Sequence, residues 1–168
     1  MSVSTRRRLG ASALLIAALT AVALPAPAHA APPYDLFFDP GVACETFALG
    51  VDGTPDTRKT KEYTDSNGNL VQIISGRGST LTFTNDSTDA TVTFAGNGSV
   101  TKQTTNPDGS FTVVSTGHNV IILYPTDVPA GPSTTLHVGR VVYTATATSD
   151  FTIVSTSGTA LDICAALS

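Results

Sequence analysis

The sequence has no tryptophan, one methionine and two cysteines in 168 residues. Two cysteines are too few for a disulfide-dense scaffold. They are also too few for a metal site without further ligands, and His118 and His137 do not stand at zinc-like spacing. No Cys-x-x-Cys redox pair occurs. Charge is scarce as well: 13% of residues are Asp, Glu, Lys or Arg, about half the usual share. With 41% hydrophobic residues, the chain is too apolar and too weakly charged to be disordered. Acidic residues outnumber basic ones, 13 to 9, which argues against a nucleic-acid partner. Beyond the N-terminal segment, no apolar run is long enough for a membrane span.

The N-terminal segment is a secretory signal by its chemistry. Arg6, Arg7 and Arg8 form a positive start, Leu9 to Leu24 is apolar, and Ala28-His29-Ala30 places small residues before a cut at Ala31. The apolar stretch is short for a membrane anchor. Both the ordinary and the twin-arginine export routes remain open. The expected organisation is a signal peptide over residues 1–30, an extended Pro-rich segment over 31–43 and a single β domain over 44–168. Removal of the signal leaves six basic against 13 acidic residues, a net charge of −7. The mature product is expected to be secreted and extracellular, with no membrane attachment. In that oxidising setting Cys44 and Cys164 are expected to form a disulfide closing nearly the whole domain.

What the chain has in excess is threonine: 25 of the 138 residues after position 30. Thr alternates with apolar residues in Thr80–Thr84, Thr91–Phe94, Phe111–Val113 and Phe151–Ile153. Period-two alternation with Thr on the wet face marks half-buried antiparallel strands. Asn67-Gly68, Asn85–Asp89, Gly96-Asn97-Gly98 and Asn106-Pro107-Asp108-Gly109 supply the turns. The pattern predicts an all-β antiparallel meander of nine or ten strands, closed into a small barrel or stacked as a two-sheet sandwich. Val120 to Tyr124 is apolar at every position, so both faces of that strand are expected to be covered. Leu36, Phe37 and Phe38 are expected to dock on the core. Between Thr134 and Thr148 the apolar phase switches at Gly139-Arg140, which predicts a β-bulge or sharp bend there. Leu161 to Leu167 reads as a short helical turn carrying Cys164, with a last strand as the alternative.

Few constellations carry chemistry. There is no Gly-x-Ser-x-Gly. Asp65, Asn67 and Asn69 mimic the first ligands of a calcium loop, but Leu70 and Gly76 stand where its Gly and Glu belong, which favours a plain hairpin turn. Glu45 and Glu62 are the only glutamates, and the aspartates fall in turns, so a glycosidase pair is not indicated. Arg58-Lys59-Thr60-Lys61 reads as a solvated strand edge. Pro125 to Pro132 holds three prolines and predicts a stiff loop, either a structural crossover or a lid.

The stretch Gly117 to Val142, with Thr64–Asn69 and the closing Asp162-Ile163-Cys164, resembles a group of small exported proteins of high-GC Gram-positive bacteria. That resemblance implies export and an all-β chain, and it implies no activity or site. Lipocalins and avidin-like barrels rely on Trp, which this chain lacks. The expected function is a secreted non-catalytic binding module for a small apolar ligand or an extracellular protein partner. Phe83, Phe94, Val120, Ile122 and Tyr143 are the candidate ligand-lining residues. The alternatives are an enzyme with a site assembled around His118 or His137, and a structural protein of the cell envelope. No cofactor or metal is expected.

Overall fold

Threonine is β-branched, and alternation with apolar residues places it on the wet side of a pleated surface. The computed structural model describes residues 33–168, so the expected signal peptide lies outside the described residues. Ten strands form: β1 (Leu36–Phe38), β2 (Leu49–Gly53), β3 (Lys59–Thr64), β4 (Leu70–Gly76), β5 (Leu81–Asn85), β6 (Thr91–Phe94), β7 (Ser99–Thr105), β8 (Phe111–Leu123), β9 (Ser133–Ala145) and β10 (Phe151–Asp162). One helical turn, α1 (Ile163–Ala166), follows. Asp162 caps it by accepting a hydrogen bond from the Ala165 N–H.

The strands make two antiparallel sheets, a four-stranded one ordered β1-β2-β5-β6 and a six-stranded one ordered β10-β9-β8-β7-β4-β3. The chain is thus a two-sheet sandwich, and the barrel alternative is overturned because neither sheet closes on itself. The two ends of the larger sheet explain why. Strand β3 is exposed along its whole length and presents Lys59, Lys61 and Glu62, charges that oppose docking of another strand. At the other end, Val128 bridges Thr152 and covers the start of β10. The meander is also interrupted: after the β3–β4 hairpin the chain builds β5–β6 in the other sheet, then returns as β7 beside β4.

The core joins both sheets. Leu49, Val51 and Phe83 from the smaller sheet meet Leu136 from β9, with Val120 and Ile122 packed against them. One end is plugged by Ala43, Cys44 and Phe47 from the N-terminal loop and by Ile163 and Leu167 at the C-terminus. Cys44 and Cys164 are disulfide-bonded there, 5.6 Å apart at Cα. Full burial of a side chain such as Phe83 or Leu49 contributes roughly 1.5–3 kcal/mol. Two polar groups satisfy the plug's backbone: Thr134 Oγ1 donates to the Ala43 carbonyl at 2.9 Å, and Asn85 Nδ2 donates to the Leu167 carbonyl at 3.0 Å. Of the N-terminal apolar triplet, Phe38 packs on the core and Phe37 stacks on Tyr34, whereas Leu36 stays exposed.

The phase switch in β9 is present, but no bulge marks it. Strands β8 and β9 stay in register across the switch, with Gly117 opposite Gly139, and Gly158 of β10 continues the row. All three glycines have positive φ, 95°, 145° and 98°. That backbone exchanges the two faces without inserting a residue. Thr134 and Leu136 are therefore buried before Gly139, and Val141 and Ala145 after it. The register shift lies instead in β10, between Ile153 and Ser155.

The Pro-rich loop is strapped to the sandwich by one buried carboxylate. Asp127 is 3% exposed; its Oδ2 accepts from the Tyr124 N–H at 2.6 Å and its Oδ1 from the Phe151 N–H at 2.7 Å. The Val128 N–H donates to the Phe151 carbonyl, and the Ile153 N–H to that of Val128. Gly131 packs directly on the Leu123 carbonyl, where a Cβ would overlap it. The loop so covers the end of β8, where Leu123 is buried on the face away from Val120 and Ile122.

Candidate inter-sheet cleft

The smaller sheet is shorter than the larger one, so the inner face of the larger sheet runs on past β6. Register places Gln103 of β7, Val113 of β8 and Tyr143 of β9 in one row, and Thr101, Ser115 and Val141 in the next. Opposite them stand Leu81, Phe94 and the loop residues Ala95 to Asn97. Between the two walls lies a cleft of about 390 Å³, within the size range of small-ligand sites.

The rim is built by close backbone packing. A Cβ at Gly96 would collide with the Gly78 carbonyl, so the 77–80 and 95–98 segments touch. Arg77 Nε donates to the Gly96 carbonyl at 2.9 Å, and the Gly96 N–H donates to Thr80 Oγ1 at 3.2 Å.

The lining is mixed. Ile74, Leu81, Phe94, Val120 and Leu136 supply apolar surface, and Gln103, Thr101, Ser115, Asn97, His118 and Tyr143 supply polar atoms. The Thr101 and Ser115 hydroxyls hydrogen-bond each other. Asn97 Nδ2 lies 3.4 Å from His118 Nε2. Burial pushes the Tyr143 phenol above its ordinary pKa, so it stays protonated. Arg58 is the one charged lining residue, and Asp56 holds its guanidinium in an ion pair. No carboxylate lines the cleft among the described residues.

The five candidate residues separate into two groups. Phe94, Val120 and Tyr143 line the cleft. Phe83 is 1% exposed inside the core with its ring 6.0 Å from that of Phe94, and Ile122 packs on the same core. The two histidines also part. His118 lines the cleft, whereas His137 lies opposite Asn119 in register and does not line it. Burial lowers the His137 pKa, which favours the uncharged ring. Neither histidine makes an ion pair with a carboxylate among the described residues. No group of three or more His, Cys, Asp or Glu that could hold a metal occurs among them. Asp65 is committed to its own hairpin: its carboxylate accepts from the Asn67 and Asn69 N–H groups, both at 2.9 Å. Those bonds, led by the one from Asn69, hold its pKa below the ordinary value.

Sequence patterning missed Gln103, Thr101, Ser115 and Asn97. Their alternation is visible, but the face that turns inward depends on the phase exchange at the glycine row and on strand order. Comparison with known proteins finds no matching family model, no matching curated protein and no matching solved structure.

Proposed function

We propose that this protein is an exported, non-catalytic binding module whose site is the cleft between the two sheets. The cleft itself carries the proposal: about 390 Å³ of space with apolar walls and a few convergent polar groups. The Cys44–Cys164 disulfide supports an oxidising compartment, as do the signal-like N-terminus and the resemblance to exported all-β proteins. Among the described residues, no helix is long and apolar enough to cross a membrane. An enzymatic role has less support. His118 meets an amide where a general base would need an orienting carboxylate.

Native mass spectrometry of protein purified from its own culture medium tests the proposal. The expected result is an excess mass that disappears on denaturation and is lost in Ser99→Trp, which fills the cleft wall. An excess mass that persists unchanged in that variant would place the ligand elsewhere. A bare mass, together with no binding by any soluble probe, would overturn the proposal.

A further inference from the structure

We infer that the cleft takes an uncharged, polyhydroxylated ligand of mono- or disaccharide size. This inference rests on the cleft being a binding site and adds the class of ligand. Three observations carry it.

The first is the scarcity of charge in the lining, where Arg58 stands alone. Arg58 is spoken for by Asp56, whose Oδ2 accepts from Nε at 2.7 Å, and no carboxylate lines the cleft. A cationic ligand would lose its hydration without a counter-charge, and an anionic one would have to compete with Asp56 for Arg58. The second is the type of polar group. Amide, hydroxyl and phenol groups both donate and accept, which matches a hydroxyl-rich ligand whose groups do the same. In the Thr101–Ser115 pair one hydroxyl spends its hydrogen on the other, and the second keeps its own to donate. The rings of Tyr143 and Phe94 offer apolar surface for the C–H face of such a ligand.

The third is a polar relay that sets the direction of one of these groups. Glu62, Gln72 and Gln103 lie side by side on β3, β4 and β7. The Glu62 carboxylate only accepts, so Gln72 gives it Nε2, at 2.6 Å. Gln72 then presents Oε1 to Gln103 Nε2, at 3.5 Å. Gln103 is left with Oε1 as its free end, in the cleft wall. An exposed carboxylate on the edge strand thereby orients an acceptor inside the site. A purely apolar ligand would gain nothing from that arrangement and would desolvate it at a cost.

The test uses protein expressed from the full sequence and two-dimensional amide NMR titration. The probes are glucose, N-acetylglucosamine, maltose and cellobiose, with N-phenyl-1-naphthylamine as an uncharged apolar probe. At least one saccharide is expected to shift cleft amides with a Kd below about 10 mM. Gln103→Leu is expected to weaken that binding about tenfold. Glu62→Gln lies outside the cleft and frees the relay to reverse, so a weakening of about threefold is expected without a change in the unfolding midpoint. Saccharide binding that both variants leave unchanged would overturn the relay and with it the inference. Binding of the apolar probe alone in the cleft would overturn the inference and leave the binding site standing. Binding of neither class would remove both.

Discussion

Replacing Gly139 by alanine isolates the physical role of the glycine row. Gly139 has φ 145°, and a Cβ there would run into the Ser157 carbonyl and the Gly158 Cα of the paired strand. Gly109 is the control: its φ is 81° in a turn, and a Cβ there meets nothing within 4 Å. Gly109→Ala suffers only the conformational cost of a positive φ, about 1–2 kcal/mol. Gly139→Ala suffers backbone strain of about 1–3 kcal/mol and the collision in addition. Both colliding groups are backbone and cannot rotate away, so β9 and β10 must part locally. Each ladder hydrogen bond lost in doing so costs about 1 kcal/mol. The sum is about 4 kcal/mol for Gly139→Ala, well above the control. Urea unfolding of both variants, followed by far-UV circular dichroism, measures the difference. Equal destabilisation of the two would refute the idea that close strand approach, and not φ alone, requires glycine at the row.

Three further outcomes are expected. Cys44→Ala with Cys164→Ala opens a loop closed over a separation of 120 residues, which loop entropy values at about 5 kcal/mol. Calorimetry should show Tm lower by about 15 °C, and a fall under about 3 °C would contradict a stabilising role for the bridge. Asp127→Ala strips the partner from the Tyr124 and Phe151 N–H groups and should cost about 3 kcal/mol. Hydrogen exchange should speed up at Val128 in the loop and at Phe151, ahead of the later residues of β10; uniform exchange would mean the loop is held by other contacts. Asp65 and Asp108 both have pKa values held below the ordinary carboxylate value by hydrogen bonds from their own turns, Asp65 chiefly from the Asn69 N–H and Asp108 chiefly from the Ser110 hydroxyl. Depressed folded values mean the stabilisation is complete above the unfolded pKa of about 3.9 and is lost as pH falls through the folded values. Unfolding midpoints measured between pH 5 and pH 2 should therefore drop below about pH 4, and Asp65→Asn with Asp108→Asn should flatten that drop.

The loop Pro125–Pro132 shows where a sequence signal stops being informative. Its prolines declare a stiff connection, but only Asp127 reveals what the stiffness serves. Nothing local distinguishes Asp127 from the turn aspartates, since its second partner, Phe151, lies 24 residues away. The candidate ligand residues divide for a similar reason. Phe83 and Phe94 occupy equivalent places in two alternating strands, yet one fills the core and the other reaches the cleft. Only the position where the smaller sheet ends separates them. Gln103 is harder still, because its role depends on Gln72 on the neighbouring strand and on Glu62 one strand further.

By itself the sequence determined the all-β class, most of the strands and turns, and the pairing of its two cysteines, and it left the closing segment open between a helical turn and a strand. Those features follow from local rules: side-chain period, backbone freedom at Gly and Asn, and the lack of any other cysteine. It also placed the phase switch at Gly139. The tertiary structure alone decided that the sheets stack open, that the switch uses a glycine row in place of a bulge, and which polar residues face one another across the cleft. Strand order and cross-strand register involve residues far apart in the chain. They are selected by the burial and hydrogen bonding of the whole sandwich, and no window of the sequence contains them.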